Sequence, residues 1–404
     1  MYNIKLTDYI PEPKPATTDR VVAVHYYAAW KKGAAGLHNG FDDLHDYPER
    51  TPLWGYYDEE NPLVTDYEIK WALEHGINCF VYCWYRLKEN ADKPLTRESL
   101  RCAHAIHEGL FHAKFGNMMQ FAIMFENSLR WCGTNKKDLL DNLLPYWFDT
   151  YFTRENYLKI DNKPVLFVCD KARMDADLGT PEEQSAVFDA CREYAKTRGF
   201  DGMVFAANVW DYNTVNAELY ADITARGYDF HFPYNAGYAP EEELPADDVI
   251  IEAQCDMLEK RLAPDPMRHL PIASCFRDAT PRTTKAWMDL GFRFDLQKSY
   301  HLSPEGFRTV IRRMKERVDA LPDGAWGKRI FMIDNWNEWD EGHYVAPSHE
   351  HGFRYLQAIR EELTARDNLP DYRTPRDLGI DDFNHSWDVP DMGPLCRERL
   401  EKQK

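Results

Sequence analysis

Eight short apolar runs, each closed by polar residues, recur along the chain, and most are separated by stretches with helical periodicity. The runs are VVAVHYY at 21–27, NCFVYCWY at 78–85, QFAIMFE at 120–126, PVLFVCD at 164–170, GMVFAAN at 202–208, YDFHFPY at 228–234, LPIASCFR at 270–277 and RIFMIDNW at 329–336. They are continuous rather than alternating, as strands covered on both faces are. Helical periodicity marks 66–75, 137–151, 181–196, 305–321 and 352–365. Thr180, Pro181 and Glu183 read as a helix cap, a first-turn proline and a capping box, and Gly199 as the stop. This alternation predicts an α/β fold, a (β/α)8 TIM barrel in one domain with long top-face loops. The runner-up is a doubly wound open sheet, which the lack of a GxGxxG after the first strand disfavours.

The expected organisation is an N-terminal extension over 1–20, the catalytic barrel over 21–368 and a wrapping tail over 369–404. The connection over 31–65 is too long for a plain βα loop and is expected to fold over the top face. No internal repeat or low-complexity linker marks a second domain.

Forty-nine basic against sixty-seven acidic residues leave a net charge of −18. That balance repels phosphate backbones and anionic membranes, so nucleic acid is not an expected partner. The first twenty residues hold no apolar run, and nowhere do eighteen apolar residues follow one another. The expectation is therefore a cytoplasmic chain without a membrane span, or a periplasmic or secreted one if a leader has been removed. Oligomeric state is not legible. Nine scattered cysteines without a CxxC argue against a disulfide framework, a zinc ribbon or a thioredoxin-like site.

In a barrel, side chains at the C-terminal strand ends converge on one site. Here those ends carry Tyr26, Tyr27 and nearby Trp30; Trp84 and Tyr85; Glu126 and Asn127; Asp170; Asn208 and Trp210; Tyr234 and Asn235; Arg277 and Asp278; and Asn335, Trp336, Asn337, Glu338, Trp339, Glu341 and Tyr344. Hydroxyl-rich ligands need donors, acceptors and flat stacking faces together, and this inventory offers all three. Carbohydrate is the expected substrate class.

The sharpest element is NWNEWDEGHY over 335–344. Glu338 and Glu341 are three apart. An extended chain would separate their Cα atoms by about 10 Å, whereas a helical turn would bring their Cβ atoms to about 5–6 Å. Either geometry suits a paired acid and base for glycosidic cleavage. The competing reading is a solvated acidic loop or a helix cap, weakened by Trp336 and Trp339 between the acids.

The segment NWNEWDEGHYVAP over 335–347 resembles the terminal motif of the WbsX-like family, which is related to glycoside hydrolase family 99, the endo-α-mannosidase and endo-mannanase group. GYYD at 55–58, residues 79–85, ENSLRW at 126–131 and FRDATPR at 276–282 fit the same pattern. From the strand-end acids and aromatics no metal or organic cofactor is expected. The resemblance covers about 21–362 and implies a (β/α)8 barrel acting on glycans. It further implies that Glu338 assists the substrate's own 2-hydroxyl as base. Glu341 is then general acid and later base, giving retention through a 1,2-anhydro sugar. The chain departs from the family pattern at Asp340, Ala346 and IMFEN in the third run, departures that bear on the substrate. Some relatives are described as glycosyltransferases, so transfer is a rival to hydrolysis, although no DxD stands at a strand end. A non-catalytic glycan-binding barrel is the second rival.

Among secondary residues, Glu126 is read as a sugar ligand or as a buried partner of Arg86 or Arg130. His25 reads as a core histidine. His349 and His351 read as a helix-start cluster rather than a zinc site. Arg277 and Asp278 read as a clamp for an anionic sugar or for one another.

Overall fold

The computed structural model describes residues 10–31, 41, 44, 47–128, 132–209, 215–236, 245–275, the backbone of 276–277, and 300–378. All eight apolar runs become strands of one parallel sheet: β1 (Val21–Tyr26), β2 (Cys79–Arg86), β3 (Gln120–Phe125), β4 (Lys163–Val168), β5 (Val204–Asn208), β6 (Phe230–Phe232), β7 (Ile272–Ala273) and β8 (Ile330–Ile333). Their hydrogen-bonded order is β6-β5-β4-β3-β2-β1-β8-β7. A parallel bridge between His231 and His269, with bonds from His231 N to Arg268 O and from Leu270 N to His231 O, joins the two ends and closes the ring. The expected barrel is the observed fold.

Helical segments follow the strands and cover their outer faces: Pro62–Glu74, Ala105–Leu110, a composite run over 136–152, Lys171–Leu178 with Pro181–Thr197, Ala217–Ala225, Asp247–Leu262, Pro304–Asp319 and Arg354–Leu363. Local chemistry sets their starts. Asn61, Asp170, Thr180, Asn216 and Ser303 each accept a first-turn backbone N–H, and Thr180 with Glu183 completes the expected capping box. The run over 136–152 alternates α with wide-turn π segments, which periodicity reads simply as helix. Arg86 crosses to this layer and pairs with Asp138 at 2.7 Å, both buried, so it is not the partner of Glu126 considered above.

The seventh run is the one that differs. Only Ile272 and Ala273 stay in the barrel, and Phe276–Arg277 pairs instead with Tyr300–His301 in an antiparallel ribbon. Eight cysteines among the described residues are free thiols and seven of them are buried, in keeping with their reading as small hydrophobes. Among the described residues no helix is long and apolar enough to cross a membrane.

The seam that closes the barrel holds two buried histidines whose Nδ1 atoms meet at 2.8 Å. Burial holds His231 down at about 3 and His269 well below the usual range. Unfolded histidine takes a proton near pH 6.5, at about its ordinary value. Between there and pH 3 the unfolded chain binds more protons than the folded one, and stability falls as pH falls. The double variant His231→Asn, His269→Asn keeps amides that can bond without titrating. It should lose less thermal stability between pH 6.5 and pH 4 than the wild type, measured by circular dichroism; an equal or greater loss contradicts this role of the seam.

Candidate active site

The segment after β8 folds as a tight hairpin. Asn337–Glu338 pairs antiparallel with His343–Tyr344, placing Glu338 opposite His343. Trp339–Glu341 forms one 3₁₀ turn, and Gly342 finishes it at φ 63°, where a side chain would be strained. Of the two geometries the spacing allowed, the chain adopts the helical turn. Residues three apart in such a turn eclipse one another, and oxygens of Glu338 and Glu341 come within 4.8 Å of each other and of a ring nitrogen of His343.

Glu338 is buried and oriented from two strand ends. Its Oε2 accepts from the Tyr234 hydroxyl after β6 at 2.7 Å and from Asn335 Nδ2 after β8 at 2.8 Å. Asn335 Nδ2 also donates to the Tyr234 oxygen at 2.9 Å. Glu341, with a fifth of its side chain exposed, is the more open of the two acids. His343 lies between them, its Nε2 3.0 Å from Glu341 Oε2 and 3.3 Å from Glu338 Oε2. Its Nδ1 meets Asp334 Oδ1 at 2.9 Å. Burial alone would raise the Asp334 carboxyl, but the charge and hydrogen bond of His343 outweigh it and hold that carboxyl below the usual range.

A second acidic pair supports the hairpin from behind. Glu59 accepts from Asn337 Nδ2 at 2.8 Å and from Trp30 N at 3.0 Å. Tyr27 N donates to Asn337 Oδ1, and the Trp30 indole donates to Asn337 O, each at 2.8 Å. Glu68, on helix Pro62–Glu74, accepts from the Trp336 indole at 3.0 Å and the Tyr26 hydroxyl at 2.8 Å. Burial pushes the Glu68 carboxyl up to about 8, and burial with the neighbouring Glu68 charge pushes Glu59 well above its usual range.

The strand pleat sorts the remaining candidates, because successive side chains point to opposite faces. On β2, Cys83 faces inward toward Tyr234, whereas Trp84 points to the helix layer, donating to the Tyr151 hydroxyl at 3.0 Å and packing on Trp147. On β1, Tyr26 points outward to Glu68, while His25 lies inside, fully buried and stacked on Tyr234 at 4.7 Å. The core reading of His25 agrees with this place. Trp336 faces Glu68 and Phe80; Trp339 bonds to Tyr57 and stacks on Tyr344 at 4.2 Å. Tyr26, Trp30, Trp84, Trp336, Trp339 and Tyr344, expected to meet substrate, have their rings packed in protein at 2% exposure or less. Asn127 likewise clips two loops, exchanging bonds with the Asp170 backbone at 2.8 Å in both directions.

Glu126 closes β3, where burial pushes its carboxyl up to about 7 and the charge of Glu338 adds to the rise. Asn208 closes β5, donating to Cys169 O while its buried Oδ1 has no partner. Tyr27, Tyr85 and Asn235 are buried around the same mouth. Trp210, Asp278 and the Arg277 side chain lie outside the described residues. Just ahead of helix Arg354–Leu363, the His349 backbone N–H bonds to Thr51 O and the His351 ring meets Tyr355 of that helix edge-on at 4.7 Å. Sequence reasoning missed His343, Asp334, Glu59 and Glu68. The signal for the first was present, since a hairpin closing at Gly342 sets position 343 opposite 338.

A closed (β/α)8 ring with two glutamates gathered over its last strand has the fold of glycoside hydrolase barrels. Within that fold the chain belongs to the family described as Glycosyltransferase WbsX, whose model matches residues 36–359. Among curated relatives, an uncharacterized protein WxcX of Xanthomonas campestris pv. campestris is 25% identical over 395 residues, covering 90% of this chain and 52% of that protein. The chain thus spans about half the length of the curated relatives it matches. Among solved structures, a glycoside hydrolase-like protein superposes with a TM-score of 0.58 at 14% identity, over 88% of this chain and 98% of the other. A GH99 endo-alpha-mannosidase from Bacteroides thetaiotaomicron superposes at 0.53 and 16% identity, over 85% and 96%. At these identities the likeness establishes the fold.

The Glu68 carboxyl yields a stability prediction. Unfolded glutamate ionises near pH 4.3, at about its ordinary value, and folded Glu68 near 8. Across that window the folded chain binds more protons, so Glu68 lowers stability as pH rises. Glu68→Gln, which does not titrate, should gain on the wild type by up to about 1.4 kcal/mol per pH unit between pH 5 and pH 8. Urea unfolding at both pH values reads this out; a pH-independent difference contradicts it.

Proposed function

We propose that this chain cleaves glycosidic bonds with retention of configuration, acting on α-mannoside-like or related glycans. The observation that carries the reading is the convergence of Glu338 and Glu341 over the last barrel strand, with carboxylate oxygens inside 4.8 Å. Glycosidic cleavage uses two such carboxyl groups, one of them an acid for the leaving oxygen, and retention follows here from the 2-hydroxyl route rather than from their spacing.

The roles follow the surroundings of each acid. Glu338 accepts through Oε2 from the Tyr234 and Asn335 donors, which suits a base assisting the 2-hydroxyl. Glu341, more open to solvent, suits the group that protonates the leaving oxygen and then activates water. The 2-hydroxyl route needs a sugar whose hydroxyl can attack from the face opposite the leaving group, as in α-mannosides. The superposed endo-alpha-mannosidase supports that choice. Tyr27, Tyr85, Glu126, Asn208 and Asn235 are the proposed sugar contacts.

A second reading is glycosyl transfer, favoured by the family's description. It uses the same two glutamates on a nucleotide- or lipid-linked donor. Incubation with α-mannosides, other glycans and sugar nucleotides separates the two: the proposal expects release of reducing sugar without a nucleotide. Glu338→Gln and Glu341→Gln should each lose at least about 100-fold in turnover while keeping the wild-type melting profile. Wild-type turnover in both variants removes the assignment.

A further inference from the structure

His343 stands inside the catalytic hairpin, and the roles given above to the two glutamates make no use of it. Each of its ring nitrogens faces a carboxylate oxygen: Nδ1 faces Asp334 at 2.9 Å, and Nε2 faces Glu341 at 3.0 Å and Glu338 at 3.3 Å. Ionised carboxylates only accept, and a neutral imidazole has one N–H to give. The ring satisfies both sides only with a proton on each nitrogen, or with that proton moved onto a facing carboxyl. The geometry points to His343, aligned by Asp334, as the positioning residue that holds the transferable proton against Glu341. This inference rests on the proposed glycosidase reading and adds to it the source of the acid's proton.

The surrounding groups select that arrangement. Asp334, at the end of β8, is buried and fixes the Nδ1–H, so a neutral ring exchanges protons only at Nε2. Glu338 and Glu341 face Nε2 from the hairpin. Tyr234, after β6, meets the imidazole edge-on at 6.1 Å and gives its hydroxyl to Glu338 rather than to the ring. His25 on β1 lies in the layer below, where burial holds it down at about 4 and thus neutral at pH 7. Three carboxylates therefore meet one imidazolium, and two acids that would otherwise repel each other share its charge.

The proton balance is closed. The Nε2–H bond breaks as an O–H bond forms on Glu341 Oε2, leaving a neutral ring with its Nδ1–H on Asp334. Glu341 passes that proton to the glycosidic oxygen as the bond from C1 to that oxygen breaks, while the 2-hydroxyl oxygen bonds to C1 and gives its proton to Glu338; the electron pair of the Glu341 O–H bond stays on the carboxylate. In the return half, water bonds to C1 as the C1–O2 bond breaks, Glu338 returns its proton to O2, and Glu341 takes a proton from that water and hands it back to Nε2. A divalent cation, spanning the same three side chains, is the competing occupant of Nε2.

The test combines kinetics with a readout that needs no turnover. In His343→Gln the basic limb of the kcat/KM profile should move toward acid by at least about one pH unit. Turnover of natural glycans, whose leaving groups need protonation, should fall about 10- to 100-fold, while activated aryl glycosides fall severalfold less. Asp334→Asn should shift the limb in the same direction. An unmoved limb with equal losses on both substrate types overturns the proposal, as does loss of wild-type activity in EDTA that added divalent metal restores. Nitrogen-15 NMR of histidine-labelled protein, with the His343 signal assigned from the variant, should find protons on both ring nitrogens at pH 7. A neutral ring protonated on Nε2 alone overturns the proposal even if no glycan is turned over. Wild-type turnover in the Glu338 and Glu341 variants would instead sink the glycosidase reading.

Discussion

A carboxylate withdrawn from water costs on the order of several kcal/mol unless donors replace its hydration, and the mouth of this barrel is built around meeting that demand for Glu338. Tyr234 arrives from the sixth strand, at one end of the sheet order, and Asn335 from the eighth, next to the other end, so the acid is oriented only when the ring is closed. Asn337, one residue earlier, is anchored in turn to the backbone of Tyr27, to Glu59 and to the Trp30 indole. The reactive hairpin is thus tied to the end of the first strand, to the sixth and to the loop that follows the first. Closure of the ring and placement of the acid are the same structural event.

The abundance of aromatic residues has a different use from the one composition suggests. Indole and phenol groups have one polar atom at the edge of a large apolar face, and around the site several give that atom to the protein. Trp336 and Tyr26 meet Glu68, Trp339 meets Tyr57 and Trp84 meets Tyr151. Their faces fill the space between strands and helices while their edges meet the buried acid Glu68 or a tyrosine hydroxyl. The mouth is left to carboxyls, amides and the tyrosines Tyr27, Tyr85 and Tyr234.

The eight strands were legible because each is covered on both faces and so reads as an unbroken apolar run; the capping box at Thr180 and Glu183 was legible because its chemistry is local. Parity along a strand was not. In a continuous run, apolar residues occupy both faces, so nothing in CFVYCWYR tells which of Trp84 and Tyr85 looks inward. The Glu338 and Glu341 pair was legible from spacing and from its two tryptophans. Its relation to His343 depended on a 3₁₀ turn closing at Gly342, and its support from Glu59 and Glu68 on contacts more than 250 residues apart in sequence. The seventh strand was overextended because Ser274 and Cys275 continue an apolar run that the backbone leaves for an antiparallel ribbon.

The most direct measurement of the central claim is a crystal structure of the protein with an uncleaved oligosaccharide. The account requires the scissile oxygen to lie within hydrogen-bond reach of Glu341 and the neighbouring C2 hydroxyl within reach of Glu338, with His343 behind both. A glycan held elsewhere on the barrel, or an ordered complex in which those two carboxyl groups turn away from the sugar, would contradict it.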